Sequence, residues 1–600
     1  MSDINPREAR DLGMSRTISR RDFFDGVAMT VGVATLGSLT GCSGDGPPGG
    51  AGAVQPGVRG DTAAALSVPH ALRDDRFWQH AGAPEPTGET YDLVVVGGGV
   101  SGVSAAHEWL RRDPAARVLI LDNHDELSEE PQLGSVSVWT PEGRELLDRL
   151  DIAVREPDGR HYPALGMYDS VLCDRETYPV ERLVCFTPEI EAEQWVGRLP
   201  IADRARRDLL ALYRDPVDWF PGLSRERKQE RLAGLTYSAF LLDVCGTHPD
   251  VERFCRTMPN ADWAYDARAF GAIDAWGRAD GWEFPGFRGL HLDRDKPSRF
   301  NSPTVQKEWG EPRVHCLPQR GRTLVRTMLA RMIPGFTGSR DHEPADRRLL
   351  DLPANPVRFR LSSPVVSVRH DGPPDTASSV TVGYFDGHAV RTVGAGSVIM
   401  ACWHTVIPHL VPELPDDQRR ALREAVKQPL LQATVRLRDG EAWRRVGVHR
   451  TRWTGAYWCL SELDGRADPA GPVTARLVAT PCRSELGPAE GAVAGRHALL
   501  RTPYDHLEYT VRDQLTRLLG PGGFDPATDI EAITIDRWGH AQAPEYCRPW
   551  HAFYPDGPFP ADLARRPFGR IAIAGSDAIP AASADAAITA ACRAVTELST

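Results

Sequence analysis

Hydrophobic and polar positions fall into short blocks, and several have a clear period. Asp92-Leu93-Val94-Val95-Val96 is an apolar run of strand type, bounded by glycines. Residues 103–110 follow as a helix with small residues near its start. Arg117-Val118-Leu119-Ile120-Leu121-Asp122 is a second strand, ending in a carboxylate. Val365-Val366-Ser367-Val368 and Ser397-Val398-Ile399-Met400-Ala401 read as further strands. Residues 568–577 run from a strand into Gly575-Ser576-Asp577, and 584–598 form a helix with an Ala-rich packing face. No extended heptads or solenoid repeats stand out. Residues 43–67 are rich in Gly, Pro and Ala and predict a flexible tether, so folding is expected to begin near Tyr91.

Composition narrows the class. The chain has 600 residues, 41% hydrophobic and 25% charged, which suits a globular protein of roughly two to four structural units. Its net charge of −11 is spread along the chain and leaves no basic footprint for nucleic acid. The eleven cysteines contain no C-x-x-C, which removes zinc-ribbon, thioredoxin and c-type haem attachment patterns. Buried free thiols are expected.

The N-terminus reads as an address. Ser19-Arg20-Arg21-Asp22-Phe23-Phe24 is a twin-arginine motif. The weakly apolar stretch 26–39 is too short and polar for a membrane span, which needs about 20 apolar residues. Leu39-Thr40-Gly41-Cys42 then resembles a lipobox with Cys42 as the lipidated residue. The expectation is export by the twin-arginine route and a cell-envelope protein held to the membrane through a lipid on Cys42.

The strands and helix around residue 100 enclose Gly97-Gly98-Gly99-Val100-Ser101-Gly102, a G-x-G-x-x-G motif, with Asp122 twenty residues after Gly102. Strand, glycines, helix, strand and acid in register form a dinucleotide-binding βαβ unit. Gly97 permits the tight turn, Gly99 lets backbone amides approach a pyrophosphate, and Gly102 lets helix and strand pack. Val100 and Ser101 open the helix, whose N-terminus supplies donors for phosphate. Asp122 would accept from a ribose diol and disfavours a 2′-phosphate. FAD and NAD share this fingerprint. The terminal strand, Gly575-Ser576-Asp577 and last helix fit an FAD protein, with Gly-x-Asp at the ribityl phosphate, and equally an ordinary strand–turn–helix.

With both ends in view, residues 91–598 resemble the bacterial spermidine dehydrogenase family of FAD-dependent amine oxidoreductases. The likeness rests on residues 118–125, on Asp174-Arg175-Glu176-Thr177 with Arg182-Leu183-Val184, and on Pro221-Gly222-Leu223-Ser224 with Thr236-Tyr237-Ser238-Ala239-Phe240-Leu241. It also rests on Ile273-Asp274-Ala275-Trp276-Gly277, residues 401–408, residues 520–526 and the terminal 569–598. The resemblance implies an α/β fold: a Rossmann-like FAD/NAD(P)-binding domain from 91–128, 355–405 and 530–600, with an interleaved mixed α+β substrate domain from 129–354 and 406–529. Residues 1–42 would be the signal and 43–90 the linker. Asn123 would join the cofactor site, and Val365 would touch the adenine. Hydride would pass from the carbon beside a small-molecule amine's nitrogen to the flavin. Some family members carry haem as well; here no spacing identifies an axial ligand, and no motif names the electron acceptor.

The chain departs from the family at three places. After Asp122 the family's Gly-Gly pair is missing, and residues 125–134 carry four carboxylates instead of a basic stretch. Residues 317–322 replace an acidic, Asn-containing turn. In Trp538-Gly539-His540-Ala541-Gln542-Ala543-Pro544-Glu545-Tyr546, Gly539, Ala541 and Gln542 stand where the family has Pro, Gly and Tyr. His540, Glu545 and Tyr546 are the candidate catalytic residues, with Trp538 as a wall; His540 fits a structural histidine equally well, and Trp538 fits a core residue. His404, Trp263, Tyr265, Trp276 and Trp282 are further candidates with packing as the alternative. Substrate identity does not carry over. The alternatives are a flavoenzyme acting on a non-polyamine metabolite, and a non-enzymatic relative that has lost flavin.

Overall fold

A computed structural model describes residues 5–12, 14, 57–127, 135–138, 140–155, 161–187, 190–277, 284–292, 313–316, 323–339, 343–463, 468–554 and 557–599. The twin-arginine motif, Cys42, Trp282, residues 128–134 and residues 317–322 lie outside them. The described residues divide into two compact units. One comprises those within Met1–Ile18, Glu156–Pro312 and Val426–Phe559; the other, those within Ser19–Arg155, Arg313–Ala425 and Pro560–Thr600.

The second unit is the α/β one. Its sheet runs Val365–His370, Val380–Phe385, Val390–Met400, Glu85–Val96, Val118–Leu121, Val357–Arg360, with Ile571–Ile573 added beside the far half of Val390–Met400. The five segments from Val390–Met400 to Val357–Arg360, with Ile571–Ile573 counted among them, pair in parallel and the hairpin strands antiparallel. Leu93 and Val95 pack into one core and Val94 and Val96 into another, on opposite faces of the sheet. A strand covered on both faces has no polar side, which is why 93–96 shows no alternation. The helices Val100–Arg112 and Ala584–Leu598 pack on the Leu93 face. A small sheet orders Ser135–Val138, Arg313–Cys316 and Val154–Arg155.

Several boundaries differ from the sequence expectation. Residues 57–90 are not a linker throughout: they form the strand Gly57–Gly60 and the helices Ala63–Arg73 and Phe77–His80, then enter the strand Glu85–Val96. Leu66, Leu72 and Phe77 are buried, and Leu72 and Phe77 join the core of the Val94 face. The Thr62 side chain caps the first helix at Ala65 N. The polar, proline-bearing character of the segment hides these few apolar anchors. The described residues within 129–155, 313–354 and 406–425 belong to the α/β unit. The strand Ile530–Gln542 belongs to the other one, because it pairs along its length with Gln428–Leu437.

That other unit is mixed α+β. Its strands run Ile530–Gln542, Gln428–Leu437, Val473–Ala479, Leu460–Leu463, Val448–Trp453, Tyr168–Cys173, Arg182–Phe186, antiparallel except for the parallel pairing of Val448–Trp453 with Tyr168–Cys173. One core, holding Trp443, Trp453 and Trp458, packs against the helix Tyr504–Leu519. The other is aromatic and holds Trp195, Tyr213, Phe240, Phe254 and Phe270. The nine cysteines with described side chains are free thiols. Among the described residues no helix is long and apolar enough to cross a membrane.

Candidate functional site

The glycine turn of the α/β unit is built at the C-terminal end of Glu85–Val96. Gly97 has φ 107°, and a Cβ there would lie 2.7 Å from the Ala401 carbonyl oxygen, so both its conformation and its surroundings require glycine. A Cβ on Gly102 would lie 1.9 Å from the Gly97 carbonyl oxygen; this glycine lets the helix seat on the turn. Gly99 is different. It is the N-cap of Val100–Arg112 with no side-chain cap, and a Cβ on it would meet nothing among the described residues within 4 Å. Uncapped amides beside open space are what an anion needs to approach a helix N-terminus. Val100 is packed against the core, and the Ser101 hydroxyl accepts from Gly575 N at 2.9 Å.

Asp122 is nearly spent before any ligand arrives. Its Oδ1 accepts from His124 N and from His124 Nδ1, each at 2.8 Å, and its Oδ2 accepts from Gly98 N at 2.5 Å. An ionised carboxylate offers about four acceptor positions, so one is left for a ribose hydroxyl and not two. His124 Nε2 meets Asp61 Oδ1 at 3.1 Å, so the imidazole bridges two buried carboxylates. Burial would lower its pKa, but the charge and hydrogen bond of Asp122, then Asp61, outweigh it and raise His124 to about 10. Burial likewise opposes Asp122, whose carboxyl is nonetheless held below the usual range by His124 and the Gly98 amide. Asn123 Nδ2 donates to Ala65 O at 3.1 Å. Asp61 and Ala65 belong to the segment read from sequence as linker.

Gly97–Gly99, Asp122, Asn123, His124 and Val365 line one cavity of about 160 Å³, whose far wall is Pro69 and Leu72 of the helix Ala63–Arg73. The C-terminal return lies beside the glycine turn. Gly575 has φ 92°, Ser576 opens a short turn, and the buried Asp577 accepts from His404 N at 3.2 Å. His404 Nε2 bonds the Ala574 carbonyl, so His404 and Asp577 brace this loop together. The residues fit a dinucleotide at the pyrophosphate, where Gly99 is open and the helix amides are uncapped. The ribose end is tighter.

In the mixed unit a larger cavity, about 560 Å³, opens among Trp195, Tyr213, Phe254, Phe284 and Arg452. None of the candidate catalytic residues lines it. Trp538 packs beside Leu430, Leu460 and Val478, and His540 lies farther along the same strand, Ile530–Gln542. Tyr546 stacks on Phe559 at 5.7 Å and sits edge-on to Phe553 at 4.9 Å, a packed aromatic group. Glu545 lies beside Asp274, a residue that sequence reading passed over. Burial first, and the Glu545 charge second, push the Asp274 carboxyl well above its ordinary range. Trp263, Tyr265 and Trp276 are core residues. No periodicity marks Asp274 or the cavity's Arg452 in advance; each becomes conspicuous only through burial and neighbours.

The chain matches no family model and no curated protein. Solved structures do match. Cyclohexylamine oxidase from Brevibacterium oxydans IH-35A aligns over 85% of this chain and 98% of its own, with TM-score 0.50 and 15% identity. A putrescine oxidase variant made in a redesign of cofactor binding aligns over 86% of this chain and 99% of its own, again with TM-score 0.50 and 15% identity. These likenesses establish the α/β fold with its interleaved second unit.

Proposed function

We propose that this chain is an FAD-dependent oxidoreductase that oxidises a C–N bond of an amine. The observation that carries the reading is the uncapped helix N-terminus at Gly99, open on the ligand side while Gly97 and Gly102 are closed by backbone. Bound there, FAD would supply the acceptor for a hydride from the carbon beside nitrogen. The chain's own part is to hold the pyrophosphate on the helix amides, to take one ribose hydroxyl on Asp122 and to offer Val365 as an apolar wall. The solved neighbours named for cyclohexylamine and putrescine support amine chemistry. The altered segment around His540 argues against carrying polyamine specificity over. Export by the twin-arginine route and a lipid on Cys42 belong to the same proposal, supported by the order of motif, apolar stretch and cysteine.

The visible absorption spectrum of purified protein lacking residues 1–42 tests this. Flavin bands are expected, in the isolated protein or after adding FAD. A second reading, a relative that keeps the fold without cofactor, is favoured by the ribose end. Asp122 keeps one acceptor, and the 160 Å³ cavity is smaller than the about 300–1,000 Å³ of most small-molecule sites. A folded, colourless protein that binds no added FAD would establish that second reading.

A further inference from the structure

The 560 Å³ cavity of the mixed unit falls within the usual range for small ligands, and its walls are mostly rings. Trp195 stacks on Phe254 at 5.8 Å and sits edge-on to Tyr213 at 5.4 Å. Two arginines line it: Arg450, which pairs with Glu462 at 3.2 Å, and Arg452. Arg452 Nη1 donates to the Phe254 carbonyl at 2.8 Å and to Thr257 Oγ1 at 2.9 Å, and its Cζ lies 4.9 Å from the Phe254 ring centroid. Thr257 is itself held, its hydroxyl donating to the Trp453 carbonyl at 2.7 Å. Nothing among the described residues bonds the Nε–Nη2 edge, and no carboxylate among them pairs with Arg452. A guanidinium pinned through Nη1 and open along Nε–Nη2 is preorganised to take a carboxylate through two parallel hydrogen bonds. Three exposed carboxylates, Asp169, Glu191 and Asp262, also line the cavity and suit a cationic group.

We propose that this cavity binds an α-amino acid with an apolar side chain: carboxylate on the Nε–Nη2 edge of Arg452, side chain among Trp195, Tyr213 and Phe254, and ammonium toward the acidic rim. As a binding site it stands alone; as the substrate site it rests on the amine-oxidising reading above, and it then makes the substrate an amino acid and not a polyamine.

Isothermal titration calorimetry on the full chain tests it with L-phenylalanine, 3-phenylpropionate and phenethylamine. L-Phenylalanine is expected to bind tightest, with phenethylamine about tenfold or more weaker. Arg452→Lys keeps the charge but loses the fork, so it should weaken L-phenylalanine and 3-phenylpropionate by about tenfold while leaving phenethylamine unchanged. Ala261→Phe, which narrows the cavity at another of its lining residues, should weaken all three, and thermal melts establish that both variants are folded. Phenethylamine binding tightest and indifferent to Arg452→Lys would overturn the proposal. So would an intact protein that binds none of the three, or binding unaffected by Ala261→Phe. Flavin bands without amino-acid binding would sink this inference alone; binding without flavin would sink the oxidoreductase reading alone.

Discussion

Gly99 and Gly102 separate two roles that one motif superimposes. Adding a side chain at Gly102 drives Cβ into the Gly97 carbonyl, and nothing but backbone can yield. Gly102→Val should therefore cost more than about 3 kcal/mol and leave little soluble protein, read by expression and thermal melting. Gly99 has φ −74° and open space, so alanine fits the fold. Gly99→Ala should melt within about 0.5 kcal/mol of wild type yet bind FAD at least about tenfold more weakly in fluorescence titration, because its methyl occupies the ligand's path. Equal affinity would remove Gly99 from the phosphate site. The motif was legible because Gly97 and Gly102 answer backbone constraints and Gly99 keeps a ligand's path clear. The catalytic candidates His540, Glu545 and Tyr546 answered none: an aromatic or a histidine serves a packed group as readily as a pocket, and Tyr546 sits in a packed group.

The helix Ala63–Arg73 shows where element-level reading fell short. Its anchors are tertiary: Asn123 to Ala65, and His124 between Asp61 and Asp122. No local periodicity announces a bridge between residues 63 positions apart. The bridge has a pH signature. The folded pKa of His124, about 10, lies above the ordinary histidine value of 6.5, so its stabilisation is fully present below pH 6.5 and is lost as pH rises toward 10. The melting temperature of wild type should therefore fall across that window more steeply than that of His124→Gln, followed by circular dichroism. Parallel curves would contradict the bridge. Asp61→Asn leaves the imidazole with one carboxylate and should cost about 3 kcal/mol in a denaturant titration at pH 7. A chain starting at residue 81 should melt lower than one starting at residue 57, since it also strips Leu66, Leu72 and Phe77 from their buried positions.

For the whole molecule, the two units have separate cores, so a ligand of one stabilises that one by mass action. FAD at about 100 times its Kd should add about 2.7 kcal/mol to the α/β unit, seen in calorimetry as an upward shift of the transition that unit contributes. An unshifted trace would favour the cofactor-free reading. The α/β class and the nucleotide fingerprint were determined by the sequence alone, because each is carried by local periods and by glycines that backbone geometry demands, whereas the segment through Gly575 read equally as an ordinary strand–turn–helix. Only the tertiary structure decided that residues 57–80 are part of the α/β unit, that Ile530–Gln542 belongs to the other sheet, that Asp122 is already bonded to His124, and that Arg452 lines an aromatic cavity. Those facts depend on which distant groups meet and how deeply they are buried, and contacts between residues far apart in the chain leave no period in it.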